Sequence, residues 1–362
     1  MGADLPTSMR THLREKIEDL VLSHYMPINY AFKDNGEHVT HWLKAGGSEF
    51  REPFAIGTVE RIMERTHRLL TLSTGTDALL RHGSGQKRLY PTGWIYHVSR
   101  CGSTLLANMV KAIDQHFVLS EPELPLIDAV RSPGRLSRSE LRDLTRASVL
   151  ALCSRAPRAA THSFVKLFQG YTLDLPLIRE SLPGVREVFV YRDPVEVIVS
   201  LITGAPPLWL WSEYMAGLPL ATAVERPAVE LAARMVGRLL AAMHLHAGDD
   251  TLLINYDQIG PQTPELMMAF WGIPCDASKA ETMRSALRLD AKDRQQKQEF
   301  IADSDRKQRG ASAMVRDAAE EYASDAYLKR EELREKRAAS ARQPVLTASD
   351  WRRAAAPQKR RR

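Results

Sequence analysis

Cysteine is scarce in this sequence, and the cysteines present are too far apart to act as a local pair. Cys101, Cys153 and Cys275 are the only three in 362 residues. This spacing excludes a C-x-x-C metal-binding or redox motif. An odd number of widely separated cysteines is typical of a protein from a reducing compartment, where disulfides do not persist.

Long hydrophobic runs are also missing. No apolar segment reaches the roughly 20 residues that a membrane-spanning helix needs. The first residues lack the apolar stretch of a secretory signal peptide. We therefore expect a soluble, cytoplasmic protein without a membrane span, whose apolar fraction of 44% forms an ordinary core.

The body of the chain has no excess of charge of either sign. The net charge is +6, but six basic residues and no acidic ones fall within residues 351–362. The 50 basic residues less these six leave 44, against 44 acidic residues. A neutral body offers no basic stripe for nucleic acid, so no nucleic-acid partner is expected. The basic tail is predicted to be a solvated, disordered end, with nucleic-acid or membrane binding as the alternative.

The nucleoside triphosphatase motif G-x-x-x-x-G-K-[ST] is absent as well, but a related pattern is present. Trp94–Val98 is typical of a buried strand, and Ser103–Asp114 is typical of a helix. The turn between them contains Arg100 and Gly102. Several backbone N–H groups and the positive end of the helix dipole face one point at such a turn. The sequence therefore predicts an anion site here, with a phosphate as the expected occupant.

Short apolar runs alternate with long helical patterns from residue 93 onward, which favours an α/β fold with a central parallel sheet flanked by helices. The predicted strands are Trp94–Val98, Phe117–Leu119, Phe164–Leu167, Glu187–Tyr191 and Thr251–Asn255. The predicted helices include Ser103–Asp114, Ser137–Ser154 and Ala228–His246. Ligands of such sheets bind at the carboxyl ends of the strands.

Four regions follow one another along the chain in this prediction. They are a helical N-terminal extension (1–88, with helices over 10–24 and 56–81), the α/β core (89–310), a charged, exposed C-terminal helix (311–342) and the basic tail (343–362).

Polar and charged side chains follow each predicted strand, at the edge where ligands bind. They are the anion turn, Glu121, Lys166, Arg192 and Tyr256. Arg192 comes just before a helix start in which Asp193 is the predicted N-cap and Glu196 completes a capping box. Arg192 itself has no structural duty in that pattern, and its planar guanidinium suits a phosphate.

Two of these motifs together resemble the sulfotransferases that use 3′-phosphoadenosine 5′-phosphosulfate (PAPS). Ser99-Arg-Cys-Gly-Ser-Thr-Leu-Leu106 is similar to the 5′-phosphosulfate loop of that family. Arg192-Asp-Pro-Val-Glu-Val-Ile-Val-Ser200 is similar to its 3′-phosphate motif, in which Arg and Ser are also eight residues apart. Thr251–Asp257 and Phe270–Pro274 resemble later family segments. The resemblance covers roughly residues 90–310 and is strongest to the bacterial and glycan-type members.

The resemblance implies a three-layer P-loop-type fold that binds PAPS without a metal ion. Arg100 to Thr104 would hold the 5′-phosphosulfate, and Arg192 with Ser200 would hold the 3′-phosphate. Arg306–Gly310 resembles the late loop that closes on the nucleotide, and a solvated charge run is the alternative interpretation. The implied cofactor-binding residues are Arg100, Cys101, Gly102, Ser103, Thr104, Leu105, Arg192, Ser200, Tyr256, Lys307 and Arg309.

The resemblance also implies the catalytic residues Glu121, Lys166 and Arg100. Aryl-type members carry Lys-Thr-His where this chain has Lys166-Leu-Phe168, so their histidine is missing here. Glycan-type and bacterial members place a glutamate where Glu121 stands, so Glu121 is the predicted general base. Glu123 is the second choice, and the alternative for Glu121 is that it orders its loop or pairs with Arg100. Lys166 would stabilise the bridging oxygen.

These residues predict transfer of a sulfuryl group from PAPS to an acceptor hydroxyl. A phosphotransferase is disfavoured because the Lys-Ser/Thr pair that grips a triphosphate and Mg²⁺ is missing. A non-catalytic nucleotide-binding protein on the same fold is the other alternative. Glycans, lipids, small metabolites and peptide side chains all stay open as acceptors, and nothing in the sequence indicates an oligomeric state.

The sequence also supports predictions for three further features of the core. The aromatic segment Leu208–Tyr214 either contributes to the acceptor pocket or a lid, or packs in the core. His97 lies inside the first predicted strand of the core and is predicted to be a core histidine. Cys101 is predicted to be a small packing residue, because a thiolate in the anion turn would repel the ligand.

Overall fold

Short apolar runs form the strands, and longer amphipathic stretches form the helices, in the computed structural model of the chain. The structure describes residues 7–45, 50, 52–67, 70–85, 89–126, 133–204, 212–289 and 303–339. The strands are β1 (Tyr25–Phe32), β2 (His38–Lys44), β3 (Thr71–Gly75), β4 (Pro91–His97), β5 (His116–Ser120), β6 (His162–Lys166), β7 (Arg186–Tyr191) and β8 (Thr251–Asn255).

Fourteen α-helices lie among the described residues. They are α1 (Thr7–Leu22), α2 (Ala55–Arg65), α3 (Thr76–Gly85), α4 (Ser103–Lys111), α5 (Arg138–Ser154), α6 (Leu175–Ser181), α7 (Pro194–Gly204), α8 (Leu220–Ala223), α9 (Ala228–His246), α10 (Thr263–Trp271), α11 (Ala277–Leu287), α12 (Ser304–Gly310), α13 (Ala313–Ala319) and α14 (Asp325–Ala339). None of the helices in this described part is long and apolar enough to cross a bilayer.

Five strands form a parallel sheet in the order β5-β6-β4-β7-β8, which confirms the predicted α/β fold with a central parallel sheet. In its register Ile95 of β4 pairs with Val188 of β7, and Phe189 of β7 pairs with Leu253 of β8. Each predicted strand is present, and Thr251–Asn255 has the predicted bounds. Local hydrophobicity was enough to predict these strands, because strands buried on both faces are continuous apolar runs.

A three-stranded antiparallel sheet, in the order β1-β2-β3, lies in the N-terminal part, for which the sequence predicted only helices. β3 separates α2 from α3, so the single helix expected over 56–81 is wrong. The sequence pattern did not predict β2, because this strand is buried along most of its length and does not alternate regularly between apolar and polar residues. Trp42 in β2 is fully buried, and its Nε1 donates to Thr74 Oγ1 at 2.9 Å.

The chain divides into two compact units that interleave along the sequence. One comprises Met1–Thr92, Asp114–Val165 and Leu177–Gly184, and the other comprises Gly93–Ile113, Lys166–Pro176 and Val185–Arg362. The first has its own core, in which Tyr30, Trp42 and Leu79 pack with Leu144 and neighbouring residues. The second contains β7, β8, α4 and the long helix α9, together with most of the predicted site residues. The predicted boundaries at residues 88 and 310 stay predictions.

The C-terminal helix predicted over 311–342 is neither regular nor exposed along its whole length, as its charged composition had indicated it would be. A π-turn at Glu320–Ser324 separates α13 from α14, and Arg330 in α14 has no exposed surface. Its Nη2 donates to the Leu240 carbonyl at 3.0 Å, and its guanidinium lies 5.3 Å from the Phe189 ring centroid. Burial lowers the pKa of Arg330 to about 10. The predicted tail, residues 343–362, lies outside the described residues.

Gly237 allows α9 to approach the π-turn closely. A Cβ at this position would lie 1.8 Å from the backbone carbonyl oxygen of Tyr322. Gly237→Ala should therefore lower the free energy of unfolding by about 1–3 kcal/mol. The sign is opposite to helix propensity, which favours alanine over glycine by about 1 kcal/mol. Urea denaturation measures the difference.

Gly57→Ala in α2 is the matched control, because its Cβ would lie 3.8 Å from the nearest atom, Glu52 Cβ. That variant should keep or gain stability. If Gly237→Ala were as stable as Gly57→Ala, the π-turn would not be packed against α9 as described.

Candidate functional site

The turn between β4 and α4 is held in an unusual backbone conformation. Ser99, Arg100 and Gly102 have φ angles of 71°, 50° and 87°. Within the described residues, four non-glycine residues have positive φ, and three of them are Ser99, Arg100 and Glu121, all predicted to flank or form the site. Such conformations cost of order 1–3 kcal/mol each and cluster at functional sites. Successive turns of this kind also point backbone N–H groups toward one concave point.

His97 fixes the start of this turn. Its Nδ1 accepts from the Ser99 N–H at 3.0 Å, and its Nε2 lies 2.9 Å from the Leu167 carbonyl oxygen. These partners assign the proton to Nε2. The prediction of a core histidine is confirmed, since His97 is 2% exposed. It also joins the end of β4 to the residue that follows β6.

Gly102 is the N-cap of α4, so no cap side chain competes for the N–H groups of the first turn. The Leu106 N–H donates to the Gly102 carbonyl at 3.1 Å and starts the helix. Ser103, Thr104 and Leu105 form the buried first turn. A Cβ on Gly102 would lie 2.8 Å from Tyr256 Cδ2, so only glycine fits against this ring.

Cys101 turns its thiol into the protein. Its Sγ donates to the Val190 carbonyl of β7 at 3.1 Å. Complete burial raises the pKa of Cys101 to about 11, so the group stays a neutral thiol. This geometry agrees with the packing role predicted from the sequence, and it leaves only the backbone of Cys101 for ligand contact.

Arg192 is a buried cation with several protein partners. Its side chain is 4% exposed, its Nε donates to Glu196 at 2.5 Å, and its Nη2 donates to Asp303 Oδ1 at 2.7 Å. Nη2 also lies 3.0 Å from Ser304 Oγ. Burial acts to lower the pKa of Arg192, but neighbouring Tyr256, Glu196 and Asp303 more than offset it and raise the pKa. The prediction that Arg192 has no structural duty is therefore wrong.

Tyr256 joins Arg192 to the anion turn. The Arg192 guanidinium carbon lies 3.8 Å from the centroid of the Tyr256 ring, which is 3% exposed. The same ring packs against Gly102. A cation over an aromatic face in a desolvated position is stabilised by up to about 2 kcal/mol. The residue that follows β8 thus supports both predicted phosphate motifs.

A second contact between the two motifs is direct. Arg100 Nε donates to Ser200 Oγ at 2.7 Å, across 100 residues of sequence. Burial and the charge of Arg192 lower the pKa of Arg100, and the charge of Asp303 opposes them. The two predicted phosphate motifs therefore meet in one polar cluster, which we call the cation cluster: Arg100, Arg192, Ser200 and Lys307.

Lys307 belongs to the cation cluster, whereas Arg309 does not. Lys307 is 9% exposed, and its Nζ lies 2.8 Å from Asp303 Oδ2. Arg309 is exposed on the surface of α12. Lys166, at the end of β6, is 1% exposed. Its positive charge acts to lower the pKa of the Cys101 thiol, against the larger effect of burial.

Glu121, the predicted general base, directly follows β5. It is half-buried and has a φ of 54°.

Most of the aromatic segment Leu208–Tyr214 lies outside the described residues, but Tyr214 is within them. Its hydroxyl donates to the Gly170 carbonyl at 2.9 Å and contacts Asp174. Tyr214 thus packs on the turn that follows β6.

Of the two acidic residues at the start of α7, Asp193 has the predicted capping role, whereas the Glu196 side chain has other partners. Asp193 accepts from the Glu196 N–H at 3.3 Å, as expected of an N-cap. Glu196 directs its carboxylate to Arg192 and to Gln308 Nε2, at 3.2 Å from the latter. The i,i+4 spacing of Arg192 and Glu196 was a usable signal for that pair.

Asp303 was missed by sequence reasoning. It lies 111 residues from Arg192 in sequence, and no local pattern relates the two.

Within the described residues, no group of three or more His, Cys, Asp or Glu side chains is arranged to hold a metal ion.

Comparison with known proteins found likeness at the level of the fold. No protein-family model matches the chain, and no curated protein matches it. The structure is similar to that of sulfotransferase STF9 from Mycobacterium avium, at 12% identity and a TM-score of 0.38, over 64% of this chain and 77% of that one.

Two further solved structures are similar in the same way. The sulfotransferase domain of the Synechococcus PCC 7002 olefin synthase is 16% identical with a TM-score of 0.39, over 69% of this chain and 96% of that one. Mouse sulfotransferase SULT7A1, solved with 3′-phosphoadenosine 5′-phosphate (PAP), is 12% identical with a TM-score of 0.37, over 70% of this chain and 93% of that one. Likeness at this level concerns the fold alone, so a function has to be inferred from the side chains of the site.

Ser200→Ala tests the direct contact between the motifs. The variant removes the acceptor of Arg100 Nε, so we expect the free energy of unfolding to fall by about 1–2 kcal/mol. Thr203→Ala is the matched control on the same helix, because Thr203 is exposed and its hydroxyl binds its own helix at Val199. The control should change stability by less than about 0.5 kcal/mol. Equal effects in chemical denaturation would contradict the Arg100–Ser200 contact.

Proposed function

We propose that this protein is a sulfotransferase that moves the sulfuryl group of PAPS to an acceptor hydroxyl. One observation carries the proposal. The strained, glycine-capped turn at the start of α4 and the Arg192–Ser200 motif join through Arg100–Ser200 and Tyr256. A ligand with two separate anionic groups fits such a pair, and PAPS has a 5′-phosphosulfate and a 3′-phosphate.

The residues present fit that nucleotide in their chemistry. Backbone N–H groups of the first turn of α4 and the side chain of Arg100 would hold the 5′-phosphosulfate. Arg192, Ser200 and Lys307 would hold the 3′-phosphate. The cluster has three cations, whereas Glu196 and Asp303 supply two negative charges. The surplus positive charge favours binding of an anion over a neutral ligand.

Transfer itself asks mainly for positioning and charge stabilisation. The acceptor oxygen attacks sulfur while the bond from sulfur to the bridging phosphate oxygen breaks. The acceptor proton passes to a general base, for which we propose Glu121. PAP leaves with the electron pair of the broken bond, and Lys166 would neutralise that charge. The acceptor is a hydroxyl compound, and the protein is proposed to act in the cytoplasm.

Calorimetry with PAP, ATP and no added metal tests the nucleotide specificity. We expect micromolar binding of PAP and at least tenfold weaker binding of ATP, because ATP lacks the 3′-phosphate that Arg192 and Lys307 would contact. The reverse order of affinities would favour a phosphotransferase. Tight PAP binding without any transfer of label from PAPS to cell-extract acceptors would favour a non-catalytic nucleotide-binding protein.

Glu121→Gln tests the proposed base. A general base contributes about 10²–10⁴-fold to the rate, so transfer of labelled sulfuryl groups to cell-extract acceptors should fall by that factor. PAP affinity should stay within about twofold, because the amide keeps the size of the carboxylate. Glu123→Gln is the matched control, since Glu123 is also half-buried in the same turn. If Glu121→Gln retains near-normal turnover, Glu121 is not the base, and a loss in Glu123→Gln would assign the role there.

A further inference from the structure

Asp303 bridges two cations of the cation cluster with a single carboxylate. Its Oδ1 lies 2.7 Å from Arg192 Nη2, and its Oδ2 lies 2.8 Å from Lys307 Nζ. Both cations are largely buried, with side chains 4% and 10% exposed. Two neighbouring oxygens that each take one cation are also what a phosphate group would offer to the same residues.

The position of Asp303 on its helix shows that the carboxylate is held by the cations and not by the backbone. Asp303 occupies the N-cap position of α12, where aspartate usually accepts from the N–H groups of the first turn. Here its side chain makes no capping hydrogen bond. Burial raises the pKa of Asp303, but Arg192 and Lys307 outweigh it and hold the pKa below its ordinary value.

Asp303 differs from Glu196, the other carboxylate on Arg192. Glu196 lies four residues after Arg192 at the start of α7, and its side chain is 5% exposed. Asp303 belongs to another segment, and its side chain is 26% exposed. Glu196 is therefore fixed by its own helix, whereas water can reach Asp303 and replace its contacts. Asp303 is the partner that an incoming anion can displace.

We propose that Asp303 is an internal counter-ion that occupies the 3′-phosphate position and sets the affinity for the nucleotide. The inference rests on the proposed function, since it assigns the 3′-phosphate to Arg192 and Lys307. Without ligand, Asp303 satisfies two buried cations and so lowers the cost of burying them. With ligand, its carboxylate leaves both cations, because a phosphate beside it would face a like charge.

Asp303→Asn is the direct test, because asparagine keeps the size of the side chain and removes the charge. If Asp303 covers the cations about 90% of the time, the variant should bind PAP about tenfold more tightly than wild type in calorimetry. Binding of 5′-AMP, which lacks the 3′-phosphate, should not change. Asp305→Asn is the matched control, since Asp305 is exposed on α12 and the variant removes the same charge two residues away.

Unchanged or weaker PAP binding by Asp303→Asn would overturn the inference, because Asp303 would then only orient Arg192 and Lys307. If Asp303→Asn does not fold, Asp303→Ser gives the same comparison with a smaller side chain that still accepts a hydrogen bond. Failure of the proposed function shows differently, as equal affinity of the wild type for PAP and 5′-AMP. In that case titration with inorganic phosphate decides: tighter binding by the variant upholds the internal counter-ion, and equal binding rejects it.

Discussion

The guanidinium of Arg192 carries a full positive charge at a position from which water is almost excluded. An unpaired charge there would cost several kcal/mol, so the surrounding chain has to supply partners. It does so from three directions: Glu196 at the start of α7, Tyr256 after β8 and Asp303 before α12. The ends of β7 and β8 and the start of α12 are therefore tied to one charge, and the candidate site is built on that constraint.

This constraint also couples the two predicted phosphate motifs. The Tyr256 ring that lies against Arg192 packs on Gly102, and Arg100 of the same turn donates to Ser200. Neither motif can shift without disturbing the other. The strained φ angles of Ser99 and Arg100 persist because the hydrogen bond from Ser99 to His97 and the bond from Arg100 to Ser200 hold them. Contacts within the protein thus hold the turn in this conformation.

The parts of this arrangement that could be predicted from sequence are local ones. The five buried strands are continuous apolar runs, and the turn at Gly102 and the cap at Asp193 follow from the residues beside them. Arg192 was predicted to face a ligand, but its long-range partner Asp303 has no local signature. The antiparallel strand β2 and the buried Arg330 were missed for the same physical reason: tertiary contacts decided their environment against the local pattern.

Under this proposal, the cation cluster receives the 3′-phosphate of a nucleotide in place of Asp303. A crystal structure of the protein with PAP bound tests this most directly. We expect 3′-phosphate oxygens within hydrogen-bond distance of Arg192 and Lys307, with the Asp303 carboxylate moved away from both. A structure in which PAP binds elsewhere, or in which Asp303 still bridges Arg192 and Lys307 beside the bound nucleotide, would contradict it.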